Sequence, residues 1–214
     1  MDVLSKSVFY LVPLILSLTV HEYAHAWAAK KLGDDTAEKL GRLNLNPLSH
    51  IDPIGSLLLP IMLIFTTGRP YFAWAKPVPF EPSRFRRDIT MRNGAMLVAF
   101  AGPLSNFFML VGAALVLAAS RRFYALPEAF DQLFIAMMTM NAGLFLFNMI
   151  PIHPLDGQKV LSGLLPRAMA ERYDAVMTQF GSFLLLPLFF VAGRFLRGPI
   201  EALIQGVATL TGLA

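Results

Sequence analysis

Residues 21 to 25 read His21-Glu22-Tyr23-Ala24-His25, an H-E-x-x-H pattern. On a helix, positions i and i+4 lie about 40° apart around the axis, so both imidazoles can face one metal ion while Glu22 sits one step round, beside an open coordination position. There the carboxylate can take a proton from a zinc-bound water, whose acidity the metal has raised, and pass it to a departing amine. Five-residue patterns with three fixed positions recur by chance, and on a surface helix this one would be read as a solvated face. The flanking sequence is apolar, however, and ionisable groups inside a membrane helix are costly unless they are paired or metal-bound. A polar patch hydrogen-bonded to neighbouring helices is the plainer alternative. A catalytic zinc also needs a third protein ligand and a vacant position. His50, His153, Asp52 and Asp156 are the candidates.

The elements that must position these groups follow from composition. Of 214 residues, 56% are hydrophobic and 15% charged, and the mean hydropathy is +0.57, which describes an integral membrane protein and not a soluble globule. The formal charge of +4 would suit a nucleic-acid binder, but the basic residues sit in short segments between apolar runs, as the positive-inside rule expects, so nucleic acid is not expected as a partner. With no cysteine, disulfides, thiolate ligands and cysteine nucleophiles are excluded. The first apolar run continues into the polar cluster without a small-residue cleavage site, and is expected to be a retained span.

That first run covers about Ser5 to Leu32, with Pro13 expected to bend or delay it. Asp34 to Pro53 is turn-rich, and Gly41-Arg42-Leu43-Asn44-Leu45-Asn46-Pro47 alternates with period two, which predicts a small sheet or β-hairpin at the membrane surface. Ile54 to Thr67 is short for a crossing and predicts a re-entrant or interfacial segment. Further spans are expected at Gly94 to Ser120, about Phe130 to Ile150 and near Phe180 to Ala192, followed by an apolar tail from Pro199. The expectation is therefore an all-α, multi-pass membrane protein with five to six transmembrane helices and a β-hairpin or re-entrant element after the first. It forms one domain over 1–214, with a core at 5–165 and additional C-terminal helices at 175–214. Placing Lys30, Lys31, the six basic residues of 68–92, Lys159, Arg167 and Arg172 on the cytoplasmic side brings residues 21–25 and the segment after 148 to one depth.

With these elements set out, the chain resembles a known family, the site-2 proteases, which are intramembrane zinc metalloproteases of regulated intramembrane proteolysis. Three motifs carry the resemblance: His21-Glu22-Tyr23-Ala24-His25; Ala101-Gly102-Pro103-Leu104-Ser105-Asn106; and Asn148 with Pro151, Pro154 and Leu155-Asp156-Gly157. The resemblance implies that His21, His25 and Asp156 ligate one zinc ion per chain, and that Glu22 is the general acid and base. Asn148 matches the position assigned to the scissile carbonyl or its oxyanion, a role an amide donor can fill. The Gly102 element looks structural, placing small residues where its span could cross the catalytic helix closely. The compact subgroup without a PDZ domain is the best match. Gln158 stands where another glycine is common, and no effect on metal binding is expected from it. The implied partners are transmembrane protein substrates and the lipid bilayer, and the implied location is a prokaryotic cell membrane, with the site near its cytoplasmic side.

Other classes fit less well. A catalytically silent scaffold would not need the full ligand and acid-base set. A divalent-metal transporter would want ionisable residues at mid-membrane on several helices, and a prenyl-protein endopeptidase would offer a glutamate ligand on a later helix. His50 and Asp52, near Pro47 and Gly55, are expected to hold backbone groups in a turn. Trp74-Ala75-Lys76-Pro77-Val78-Pro79 is expected to be an extended anchor at the headgroup level, or else an edge that holds unwound substrate as a strand.

Overall fold

A computed structural model describes residues 3–68, 70, 73–124 and 127–213, with the side chains of 3–6, 186, 189 and 190 excepted. Among the described residues there are seven α-helices: α1 (Val3–Lys31), α2 (Thr36–Lys39), α3 (Leu59–Thr67), α4 (Met91–Ala119), α5 (Glu128–Asn148), α6 (Asp156–Leu164) and α7 (Arg167–Leu210). α1 passes through Pro13 without breaking. Four residues on, the Ser17 hydroxyl donates to the Pro13 carbonyl at 2.7 Å, a local bond that competes with the regular ladder and suits a helix already missing one N–H.

α4 is the central element and packs against α1, α5, α6 and α7. Its buried positions include Gly94, Val98, Gly102, Asn106, Leu110, Ala114 and Leu117, a stripe at intervals of three and four along one helical face. Small residues on that stripe let helices approach closely, which is how apolar helices gain packing contacts in lipid. Leu110, Ala113, Ala114 and Leu117 form one core with Met138, Ala142 and Val207. A second core joins Ala28 and Ala29 of α1 to Val98 of α4 and Phe85 of the preceding loop.

The expected β-hairpin is absent: among the described residues there is no strand. Asparagine and aspartate side chains explain the correction, because they take the N–H groups a ladder would need. Asn44 Oδ1 accepts from Asn46 N at 2.7 Å, and Asn46 Oδ1 from Leu48 N at 3.1 Å. Asp52 Oδ1 accepts from both Ile54 N and Gly55 N. The region folds instead as α2, a tight turn at Pro47–Ser49 and a wide helical turn at Pro53–Leu58 that leads into α3.

The expected number of crossings is corrected too. Three helices among the described residues are long and apolar enough to span a bilayer: Ser7–Lys31, Met91–Tyr124 and Glu128–Asn148. Pro53–Thr67 is a shorter apolar helix, and the two C-terminal apolar stretches lie on one 44-residue helix, α7, with Pro187 and Pro199 inside it.

Between α3 and α4, residues 73–80 form no regular element and run alongside α1, with Ala75 in one cluster with Leu14 and Leu18 and Val78 in another with Ala26. Trp74 N donates to Gly55 O at 3.2 Å and Lys76 N to His50 O at 2.9 Å. The Arg42 guanidinium donates to Lys76 O, and buried Asp34 accepts from Glu81 N. This strap brings one backbone amide to the chemistry of α1.

Candidate metal centre

His21, Glu22 and His25 are buried on α1, with 5%, 8% and 8% of their surface exposed. The two imidazole Nε2 atoms lie 3.0 Å apart. Asp156, the first residue of α6, brings Oδ2 to 3.2 Å from His21 Nε2 and Oδ1 to 3.5 Å from His25 Nε2. Tetrahedral ligands at zinc-nitrogen and zinc-oxygen distances stand about 3.3 Å from one another, so this donor set has the right spacing for the metal.

The protonation of the rings sharpens that fit. His25 Nδ1 lies 2.7 Å from Val98 O, and a carbonyl only accepts, so His25 carries its proton on Nδ1. For His21 the proton is fixed by a chain of amides that begins on α5. Asn141 sends its Nδ2 to Met137 O at 2.9 Å, which turns its Oδ1 toward Asn106. Asn106 Nδ2 donates to that oxygen at 3.0 Å. Asn106 Oδ1 therefore faces His21 Nδ1, at 2.7 Å, and must accept from it. Asn141 Nδ2 also donates to Ser17 Oγ, closing the relay on α1. Neutral rings with their protons on Nδ1 would both offer Nε2 lone pairs to one point beside the Asp156 carboxylate. A positive charge among these groups, either a proton on a ring or a bound cation, balances the Asp156 carboxylate. Donation from the far ring nitrogen is the arrangement that orients ligating histidines.

Asp156 is ionised in this setting. Burial alone would raise its pKa, but the His25 and His21 imidazoles outweigh burial and hold it well below the usual carboxylate range. Glu22 sits at the mouth of the strap, where its Oε2 accepts Val78 N–H at 2.8 Å. The Lys159 ammonium lies 4.6 Å over the Phe80 ring. Its pKa is lowered by burial, against the pull of Asp156 and Glu22.

Two glycines make the convergence possible. A Cβ on Gly102 would stand 2.4 Å from His25 Nε2 and 2.7 Å from His21 Cε1, so α4 crosses directly over the two rings. A Cβ on Gly157 would stand 2.3 Å from Met149 O and 2.5 Å from Ile150 O. The start of α6 therefore packs against the end of α5 only without a side chain there.

The remaining candidates lie elsewhere. His50 is buried with Nε2 on Asn44 O at 2.8 Å, and Asp52 caps the turn that follows it. The backbone and Cβ of His153 abut Gly181 of α7. Asn148 ends α5 with its Nδ2 donating to Leu144 O of its own helix at 3.1 Å, so its amide is not directed at the imidazoles. Ser17, Asn141 and the Val98 carbonyl were not singled out by motif. The signal for the first two is a lone polar residue in an apolar run, a type that is costly in a bilayer unless it has a partner.

Three apolar helices of spanning length and a buried His-Glu-His turn describe a helical membrane protein with a candidate metal site. The profile of Peptidase family M50 matches residues 125–188. The chain is 37% identical over 210 residues to a Bacillus subtilis (strain 168) protein named "Putative zinc metalloprotease YwhC", covering 89% of this chain and 90% of that one. A Mycolicibacterium smegmatis protein named "Putative zinc metalloprotease Rip2" is 32% identical over 148 residues, covering 69% of this chain and 53% of its own length. The Rip2 of Mycobacterium tuberculosis (strain ATCC 25618 / H37Rv) is 31% identical over 178 residues, at 82% and 64% coverage. The match thus spans less than two thirds of these mycobacterial relatives. No solved structure matches the chain. The chain belongs to peptidase family M50, the site-2 proteases.

Proposed function

We propose that this chain is an intramembrane zinc endopeptidase that cuts other membrane proteins in or near their transmembrane segments, as in regulated intramembrane proteolysis. One zinc ion per chain is held by His21, His25 and Asp156. The observation that carries this reading is the trio of lone-pair donors, 3.0 to 3.5 Å apart, beside the Glu22 carboxylate. The names of the Bacillus and mycobacterial relatives support the choice of metal and reaction.

Bound there, zinc supplies a Lewis acid that polarises the scissile carbonyl and makes a water acidic. Glu22 takes the water's proton and delivers it to the departing nitrogen. Val78 N–H holds Glu22 Oε2 in place, which leaves Oε1 to carry the proton. Asn148, once turned away from Leu144 O, donates its amide to the oxyanion. A substrate helix must unwind locally, because its carbonyls are engaged in its own ladder, and glycine, proline or polar residues in the substrate span ease that step.

The site belongs near the cytoplasmic face of a cell membrane. His25 is about 9 Å along the axis from Lys31 at the end of α1, and basic residues cluster at that end. The test is cleavage of single-span substrates by the purified, reconstituted protein and its Glu22→Gln variant. The variant should keep about one zinc and lose cleavage; equal cleavage by both would sink the mechanism.

A further inference from the structure

Asp156 aims its carboxylate at the histidines from the first turn of α6, yet α6 has only nine residues and no side-chain cap at its N-terminus. So short a helix does not hold itself in one orientation. The contacts that do so come from α7. Asp174 accepts from Gln158 Nε2 at 2.6 Å and from Ser162 Oγ at 2.7 Å. Gln158 and Ser162 are buried, four residues apart, and so lie on one face of α6. Each takes a different oxygen of the carboxylate, which fixes both the rotation of α6 and its distance from α7.

The same stretch of α7 braces the chain before Asp156. The Tyr173 hydroxyl donates to Pro151 O at 2.6 Å. Gly181 is pressed against His153, where a Cβ would fall 2.6 Å from His153 Cβ and 2.9 Å from its carbonyl oxygen. Within residues 173–181, α7 therefore grips the chain on both sides of Asp156. Gln158 is the point of interest, since a glycine there would have no group to offer Asp174.

We propose that Asp174 is a positioning residue for the metal centre: its clasp on Gln158 and Ser162 sets the orientation of α6, and so the aim of Asp156. The proposal rests on Asp156 being a zinc ligand. It makes the start of α7 part of the catalytic apparatus and gives Gln158 a role in metal binding.

The test measures zinc affinity of the full-length protein in detergent, by competition with a chromophoric chelator, alongside KM and kcat at saturating zinc. Asp174→Ala should weaken zinc binding by about 10-fold or more, the usual consequence of losing a group that orients a ligand, and lower kcat with KM unchanged. Asp174→Asn should stay near wild type, because the Gln158 amide can flip to accept from the new Nδ2 while Ser162 still donates to Oδ1. Gln158→Gly with Ser162→Ala should reproduce Asp174→Ala, and adding Asp174→Ala to that pair should cost nothing more. The pair also provides the measurement if Asp174→Ala fails to fold.

A folded Asp174→Ala protein with wild-type zinc affinity and kcat would overturn the proposal, as would Asp174→Asn being as damaging as Asp174→Ala. Asp156→Ala separates the two levels. If it keeps wild-type zinc affinity, the ligand assignment itself falls; if it loses zinc while Asp174→Ala does not, only the clasp falls.

Discussion

The two halves of the candidate metal centre are held in different ways. The histidine half lies where α1, α4 and α5 cross, and its side chains are only 7% and 10% exposed. There the hydrogen bonds fix which nitrogen bears the proton: Val98 O for His25, and the relay of Asn141, Asn106 and Ser17 for His21. The aspartate half lies on a short helix after a loop, and Asp156 is 18% exposed. A carboxylate has no tautomer to choose, so its surroundings need only fix its place. Buried amides set protonation in one half, and contacts between α6 and α7 set position in the other.

That contrast can be broken at several points, and the largest effect is expected at the proposed ligand Asp156. Asp156→Ala should lower zinc affinity beyond the roughly 100-fold that marks loss of an outer partner, read by chelator competition. Gly102→Ala comes next. The added methyl drives into both imidazoles, so it should cost about 1–3 kcal/mol of stability by overpacking and disturb His21 and His25 together. Thermal unfolding and zinc content would register both losses, and a neutral result would mean that α4 does not cross the rings so closely.

Asn106→Leu should be somewhat milder. It strands the His21 Nδ1–H and the Asn141 carbonyl, at about 1–3 kcal/mol for an unpaired buried group, with zinc affinity down about 10-fold or more. Asn141→Leu acts one bond further away and should lower zinc affinity less. If it matches Asn106→Leu, the relay acts as a unit and the histidine half is more cooperative than the aspartate half. Smallest is Ser17→Ala, expected at about 0.5–1.5 kcal/mol. Chelation supplies a comparison for all of them. Stripping a zinc present at about 100 times its Kd should remove roughly 2.7 kcal/mol of apparent stability, and the fall in Tm should shrink in Asp156→Ala.

The chemistry was more legible in the sequence than the architecture that carries it. H-E-x-x-H has a fixed geometry on a helix, and a His-Glu-His set in an apolar run has few inexpensive explanations. The strand expected at Gly41–Pro47 failed because period-two alternation says nothing of side chains that cap their own backbone, as Asn44 and Asn46 do. The count of spans failed because apolar length alone does not separate a crossing from the short Pro53–Thr67 helix, or two segments from one α7. Asn141 belongs to no motif quoted, and its importance depends on a contact with Asn106, 35 residues away. Asp174 was hidden by ordinary surroundings, since an acid among Arg167, Glu171 and Arg172 reads as a solvated helix face. The extended Trp74–Pro79 segment was read as an anchor or an edge, and pattern gave no sign that its Val78 amide meets Glu22.

That amide has a use of its own. Pro77 and Pro79 carry no N–H, so Val78 presents a solitary backbone proton between two silent neighbours, and it rests on the carboxylate assigned to the chemistry. With valine selectively labelled with nitrogen-15, its resonance would be a built-in spectator of Glu22. The signal should shift and exchange faster with solvent in Glu22→Gln, and should move again when a peptide binds beside Glu22, reporting occupancy without any turnover.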